Sequence, residues 1–461
     1  MVFKLRGSFE NRAYKLINNR KVIESNERKK EGGINMKKSL ILIVAALLIV
    51  TLVFSACGGV GGGSKGSSGG DKITVILPEH EMDTIGFHKQ KAEEFTAETG
   101  IQVELINKAW DAVADDVLGD LASGGGTYDV IEFDNGWVAK FLQNEWVLPL
   151  NDYMSAEQKS GLVPALLDKF SGGGKHYGIV WNNDTRFYMY NEAMVKSAGF
   201  TDAPKTWADV TALSKALGGP AYMDAYRQLQ DGTNEILFVV FTHGGNLLDA
   251  NNNPIANTDP GAKAAYEWLA QAYKDGVFGD ASLTYGYMEV AESFFGGNFP
   301  LMLQAWPGIY ADANNPDMST IVGDIRVADF SVSKTGAEQF VWTLPEAMAI
   351  PTTSKNPDAA WKYIEYMSSF EFDKERALAI GSLPVWSANF NDAELLALYP
   401  YWKQFGEQSA NAGGYPDIIW FDDYSDIVAK VSQKIIAGNI GVQEGLDEMQ
   451  ALLEAAKAAA E

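Results

Sequence analysis

The chain of 461 residues is 46% hydrophobic and 12% aromatic, enough apolar content for a large core divided over two or three domains. Its formal net charge of -23 is unevenly placed: residues 1–70 carry twelve Lys/Arg against four Asp/Glu, the remainder 25 against 56. So acidic a body is repelled by phosphate backbones and anionic lipid, which argues against nucleic acid and anionic bilayers as partners.

From Met36 the chain reads MKKSLILIVAALLIVTLVFSAC: two lysines, an uncharged run from Ser39 to Phe54, small residues Ser55 and Ala56, then Cys57. This is the layout of a secretory signal, and the apolar run is shorter than the ~20 residues that span a bilayer. The small residues before Cys57 resemble a bacterial lipobox, with Phe54 where leucine is usual. The resemblance implies cleavage before Cys57 and a lipid on its sulfur, so that residues 57–70, rich in Gly and Ser, form a flexible tether. Met36 then reads as the true start, residues 36–56 as a lipoprotein signal peptide, and residues 1–35 as an upstream extension. The expected location is extracytoplasmic, anchored to the cell membrane through Cys57. As the only cysteine, Cys57 can form no internal disulfide. The four histidines, His80, His88, His176 and His243, show no zinc-ligand spacing, and no metal or cofactor is expected.

After the tether, KITVILPE alternates like a strand. DTIGFHKQKAEEFTAETG has helical spacing with Gly100 as its stop, and IQVELI reads as a second strand. A helix over 111–122, a strand YDVIEF and a helix WVAKFLQN continue a β-α-β-α rhythm. TWADVTALSKAL opens on a capping-box pattern, Thr206 with Asp209, and NPDAAWKYIEYMSS opens on Asn356 before Pro357. GVQEGLDEMQALLEAAKAAAE predicts a C-terminal amphipathic helix.

These segments, in this order, resemble a known family. FTAETGIQVELI, YDVIEFDNGWVAKFLQNEWVLPLNDY and GKHYGIVWNNDTRFYMYNEAMVKSAGFTDAPKTWADVTAL look like successive blocks of the extracellular solute-binding proteins of sugar ABC importers. HGGNLLDANNNP, FFGGNFPLMLQAW, EAMAIPTTSKNPDAAWKYIEYM and GSLPVWSANF extend the likeness over nearly all of 71–461. The resemblance implies an α/β, two-lobed periplasmic-binding-protein type II fold whose lobes close on a ligand about two or three crossing segments. By analogy the crossings fall near Gly178–Trp181, Arg326–Phe330 and Ser368–Asp373. The N-terminal lobe is then 71–180 plus 329–372, and the C-terminal lobe 181–328 plus 373–461.

The resemblance also implies site residues. Asp184 matches the position from which such proteins contact sugar hydroxyls, with Asn183 and Arg186 beside it, and Trp306 matches their cleft tryptophan. In a strand, Asp184 and Arg186 share a face, which also suits a plain ion pair. Asp134, Asn135 and Trp137 follow a strand at the end where open α/β sheets bind ligands, although Trp137 equally suits a buried helix face. Trp110, Trp420, Asp422 and Asp423 are further candidates, and Glu79, His80 and Glu81 follow the first strand. Aromatic platforms with fixed acids and amides are what a sugar needs. The expected function is a monomeric, lipid-anchored receptor that delivers a sugar, of oligosaccharide size, to ABC permease subunits. Two alternatives stand beside it: the same fold holding a polyamine or peptide, and a secreted glycoside hydrolase. The hydrolase has little support, since carboxylate pairs are inevitable in so acidic a chain and no zinc-protease or phosphate-loop motif occurs.

Overall fold

The computed structural model describes residues 72–328, 331–336, 341–402 and 412–461. The expected signal peptide, tether and Cys57 lie outside the described residues.

The first strands form where the alternation predicts them. β1 (Lys72–Pro78), β2 (Gln102–Lys108) and β3 (Val130–Asp134) are parallel, with β1 between the other two. Burial of Ile73, Val75, Ile76 and Leu77 in β1 and of all five residues of β3 makes this the core of the first lobe. The helix Phe87–Thr99 ends at Gly100, whose φ of 76° is a left-handed conformation that glycine adopts without strain. The helices Trp110–Ala122 and Pro357–Met367 pack on β1. A small hairpin, β4 (Ser171–Gly172) with β5 (Lys175–His176), precedes β6 (Ile179–Asn182) at the sheet's far edge.

The chain then changes sheets. β7 (Thr185–Asn191) is antiparallel to β8 (Leu301–Ala305), β9 (Ile325–Val327) and β10 (Val341–Thr343) in a second sheet. β11 (Glu346–Ala349) returns to the first sheet between β3 and β6, and β12 (Ala412–Gly413) pairs with β10. The first sheet is thus ordered β2-β1-β3-β11-β6 and the second β12-β10-β7-β8, with β9 also on β7. In the second lobe the helices Gln230–Thr242, Pro260–Lys274, Phe421–Ile436 and Val442–Ala460 pack on one another.

Two of the passages between the sheets run through adjacent linkers, at Asn183–Asp184 and at Leu344–Pro345, and the chain returns to the second sheet once more between β11 and β12. The two linkers run side by side: Leu344 N–H donates to the Asp184 carbonyl at 2.8 Å, and the Thr185 and Thr343 hydroxyls lie 2.9 Å apart. The first lies just past the expected crossing at Gly178–Trp181. The second corrects the expectation of a crossing at Arg326–Phe330, because β9 and β10, which bracket the end of that stretch, both pair with β7 in the second sheet. Nor do the lobes exchange at Ser368–Asp373. The chain there passes between two packed helices, Pro357–Met367 and Phe370–Ile380, and Val385 beyond them accepts from Val163 N–H at 2.9 Å in the first lobe.

Local signals in the sequence have mixed outcomes. Thr206 and Asp209 form the reciprocal capping box, with bonds of 3.0 and 3.2 Å. Asn356 does precede its helix, but its side chain donates to the Lys72 carbonyl and Asp129 instead of capping. Among the described residues no helix is long and apolar enough to cross a membrane.

The Gly-Gly turn has a steric cause. A Cβ at Gly245 would lie 2.2 Å from Ala262 N and 2.4 Å from Gly261 C, where the turn crosses the start of the helix Pro260–Lys274. Gly245→Ala is expected to destabilise the fold by about 1 to 3 kcal/mol, since backbone on both sides must move. Chemical denaturation checks this, and an unchanged midpoint would show that the close approach is not constrained.

Candidate functional site

The carboxyl ends of β3 and β6 and the amino end of the antiparallel β11 bring a set of polar side chains to the linkers. Glu132 is fully buried on β3 and accepts from the Trp181 indole at 3.1 Å. Asp134 ends the same strand and pairs in register with Glu346 of β11. Glu346 accepts from Asn182 at 2.6 Å, and Asn182 lies 3.0 Å from His80 Nε2. His80 Nδ1 is 2.7 Å from Glu81, immediately after β1.

The opposite wall comes from the second lobe. Asp184 accepts two bonds from Arg186, at 3.0 and 2.7 Å, within the shared face that the strand spacing predicts. The Arg186 guanidinium lies 4.8 Å from the Tyr287 ring and 5.6 Å from the Trp306 ring. Gln304 of β8 donates to Glu235, which also accepts from Asn234 at 2.8 Å. The two walls touch: Trp306 Nε1 donates to Glu81 at 2.7 Å, and Gln230 reaches Asp134 at 3.4 Å.

Burial governs the electrostatics. It pushes the Asp134 carboxyl up to about 7, against the Gly136 N–H and with help from the Glu346 charge. It likewise pushes Asp184 up to about 6, opposed by Arg186, and raises Glu132 and Glu235 well above the usual carboxylate range. Glu81 moves the other way. Burial works against it, but the His80 charge and the Trp306 indole hold its carboxyl down to about 2. His80 is raised well above the ordinary imidazole value, Glu81 and Glu346 outweighing the cost of burial. Four acceptor atoms in these walls are buried without a hydrogen-bond partner among the described residues: Glu132 Oε1, Asn135 Oδ1, Asp184 Oδ1 and Gln304 Oε1. Among the described residues no group of three or more His, Cys, Asp or Glu is placed to hold a metal ion.

Of the residues expected from the sequence, Asp184, Arg186, Trp306, Asp134, Asn135 and Glu81 come together here. Asn183 lies in the linker, but its amide is spent on the Pro384 carbonyl and Thr185, which makes it a brace. Trp137 packs at 5.2 Å against Trp110 and at 5.7 Å against Phe141, the helix-face alternative, which takes Trp110 into the same aromatic cluster. Trp420 is buried against Tyr424 at the start of its helix. Asp422 lies apart from this set: its side chain is exposed and pairs with Lys140 of the first lobe at 2.5 Å. Asp423 and Glu79 are exposed as well. The sequence reading missed Glu132, Glu346, Asn182, Trp181 and Gln304. The signal was present for two of them, as a carboxylate inside the apolar run YDVIEF and another opening EAMAI.

Comparison with known proteins gives a consistent picture. A probable ABC transporter-binding protein of Deinococcus radiodurans is 24% identical over 357 residues, covering 74% of this chain and 82% of that protein. Maltose-bound MalE3 of T. maritima superposes with a TM-score of 0.76 at 20% identity, covering 83% of this chain and 99% of the other. A solute-binding protein of Agrobacterium radiobacter in complex with ribitol gives 0.76 at 19% identity, covering 84% and 98%. Both show the same two-lobed fold. The family model described as bacterial extracellular solute-binding protein matches residues 84–371, more than half of the chain, and to that family the chain belongs.

Proposed function

We propose that the protein is an extracytoplasmic receptor that captures a sugar or polyol between its lobes and delivers it to an ABC permease. The observation that carries this reading is the set of buried acceptors lacking partners, Glu132 Oε1, Asn135 Oδ1, Asp184 Oδ1 and Gln304 Oε1. Hydroxyl groups donate to such acceptors and accept from neighbouring donors, including a Glu132 carboxyl that its raised pKa leaves protonated, and Trp306 and Tyr287 supply ring surface for C–H faces. The direct contacts between walls, Glu81 with Trp306 and Asp134 with Gln230, favour a short ligand over the oligosaccharide expected from the sequence. Maltose and ribitol in the two similar structures are of that size.

In this reading the lobes are 72–182 with 346–402, and 185–343 with 412–461, hinged at Asn183–Asp184 and Leu344–Pro345. Ligand bridges both walls only when they are together, so binding shifts the population toward closure. A lipid on Cys57 tethers a monomer at the membrane, and no chemistry is performed on the cargo.

Thermal unfolding with a panel of monosaccharides, polyols, maltose, longer oligosaccharides, spermidine and short peptides tests this. A true ligand at a hundredfold excess over its dissociation constant stabilises by about 2.7 kcal/mol. A shift with a sugar or polyol is expected, with the ligand recovered intact. A shift with spermidine or peptide alone contradicts the cargo, and a consumed sugar contradicts the absence of catalysis.

A further inference from the structure

The helix Phe370–Ile380 carries an arginine that the account so far has not used. Arg376 is 1% exposed, yet Nε, Nη1 and Nη2 have no hydrogen-bond partner among the described residues. Its nearest carboxylate, Asp373, stands at 3.6 Å and is committed elsewhere. Asp373 accepts from the N–H groups of Val385 and Trp386 at 2.9 and 3.1 Å and from the Asn389 amide at 2.8 Å. A buried guanidinium with unused donors is costly, because desolvation is not offset by bonds.

Its surroundings place it on the wall of the interlobe site. The guanidinium lies 5.9 Å from the Trp181 ring, whose centroid is 5.2 Å from that of His80 and whose indole N–H donates to Glu132. The end of the helix faces the second lobe: a Cβ at Gly308 would lie 3.2 Å from Glu81 Cδ and 3.4 Å from the Ile380 carbonyl. Ser382, just beyond, has a buried hydroxyl also without a partner among the described residues.

We infer that Arg376 is a ligand-binding residue, and that its planar fork donates to two adjacent uncharged oxygens, a vicinal diol, of the bound sugar or polyol. The inference rests on the receptor reading above. A fork of parallel donors suits paired acceptors, whether carboxylate or diol. Charge decides between them. Asp373 stands 3.6 Å from the guanidinium, and Glu81 and Glu346 act on its charge from farther off; with His80 paired to Glu81 and Glu346, these three acids outnumber the two cations before a ligand enters, so a ligand carboxylate would add to an acidic surrounding, whereas hydroxyls add no charge. Sugar acids are therefore disfavoured at this end of the site.

The test is calorimetric titration of the protein with neutral and acidic counterparts: glucose and glucuronate, galactose and galacturonate, ribitol and ribonate. Wild type is expected to bind a neutral member at least about tenfold more tightly than its acid. Arg376→Met should weaken that binding about tenfold to a hundredfold, the loss of hydrogen bonds to a charged group, and Arg376→Lys less so. Without ligand, Arg376→Met should unfold no lower than wild type, because Asp373 keeps its three donors. Equal binding by wild type and Arg376→Met overturns the assignment while leaving the receptor reading intact, as does tighter binding of the acid. A ligand-free Arg376→Met that melts well below wild type assigns the residue to structure and overturns it too. If wild type binds no sugar or polyol, the receptor reading itself falls, and this inference with it.

Discussion

Trp306→Ala is expected to weaken ligand binding about ten- to a hundredfold and to leave more of the ligand-free protein open. The indole does two things at once. Its N–H donates to Glu81 across the lobes at 2.7 Å, and its ring lies 5.6 Å from both Tyr287 and the Arg186 guanidinium. A hydrogen bond to a carboxylate is worth about 1.5 to 3 kcal/mol, and the ring adds apolar contact with a sugar face. Trp306→Phe separates the two, keeping a ring and removing the donor. Calorimetry and solution scattering read affinity and compactness; unchanged values for Trp306→Ala would remove the residue from the site.

The second large effect concerns pH. Burial holds the Asp134 pKa at about 7 and that of Asp184 at about 6, against ordinary values near 4, so the folded protein binds protons more tightly than the unfolded chain. Stability from these groups is complete below pH 4 and is lost as the pH rises through 6 and 7, for Asp134 alone by roughly 4 kcal/mol. The raised His80 works in the same direction, its contribution complete below the ordinary imidazole value and lost as the pH rises through its folded value. Glu81, held at about 2, opposes them only in acid, losing its contribution as the pH falls from its ordinary value toward 2. Ligand-free protein should therefore melt at a higher temperature at pH 5 than at pH 8. Asp134→Asn should flatten that difference and melt above wild type at pH 8. The new Nδ2 takes the place of the Oδ2 that accepts from the Asn135 amide at 3.1 Å; a flip of Asn135 turns its Oδ1, without a partner among the described residues, toward it, while the new oxygen keeps Gly136 and Gln230. A melting temperature that rises from pH 5 to pH 8 would contradict the assignment of these buried acids.

Which parts were legible in the sequence follows from which physical signals are local. KITVILPE, IQVELI and YDVIEF are long enough to show their period, and each is a strand of the first sheet. The box at Thr206 and Asp209 is a contact within one turn, and it forms. The second linker was misplaced because β10 has three residues, too few for alternation to show, and its partner β7 lies far away in sequence. Asp422 was legible as an acid but not as an exposed one, since its partner Lys140 belongs to the other lobe. Arg376 sits in FEFDKERALAI among four other charged residues, and its burial beside Trp181 and Asp373 comes from tertiary packing that no local pattern shows. Glu132 and Glu346 were written inside apolar runs, where a carboxylate is out of place unless it has work to do.

The central claim is that the ligand lies between the two sheets and satisfies the polar atoms that the protein leaves without partners. The crystal structure of the complex with whichever sugar or polyol gives the largest thermal shift tests it most directly. The account predicts the ligand between β3 and β7, its hydroxyls within hydrogen-bond distance of Glu132, Asn135, Asp184 and Gln304. A ligand bound elsewhere, or one between the lobes that leaves those four acceptors untouched, would contradict it.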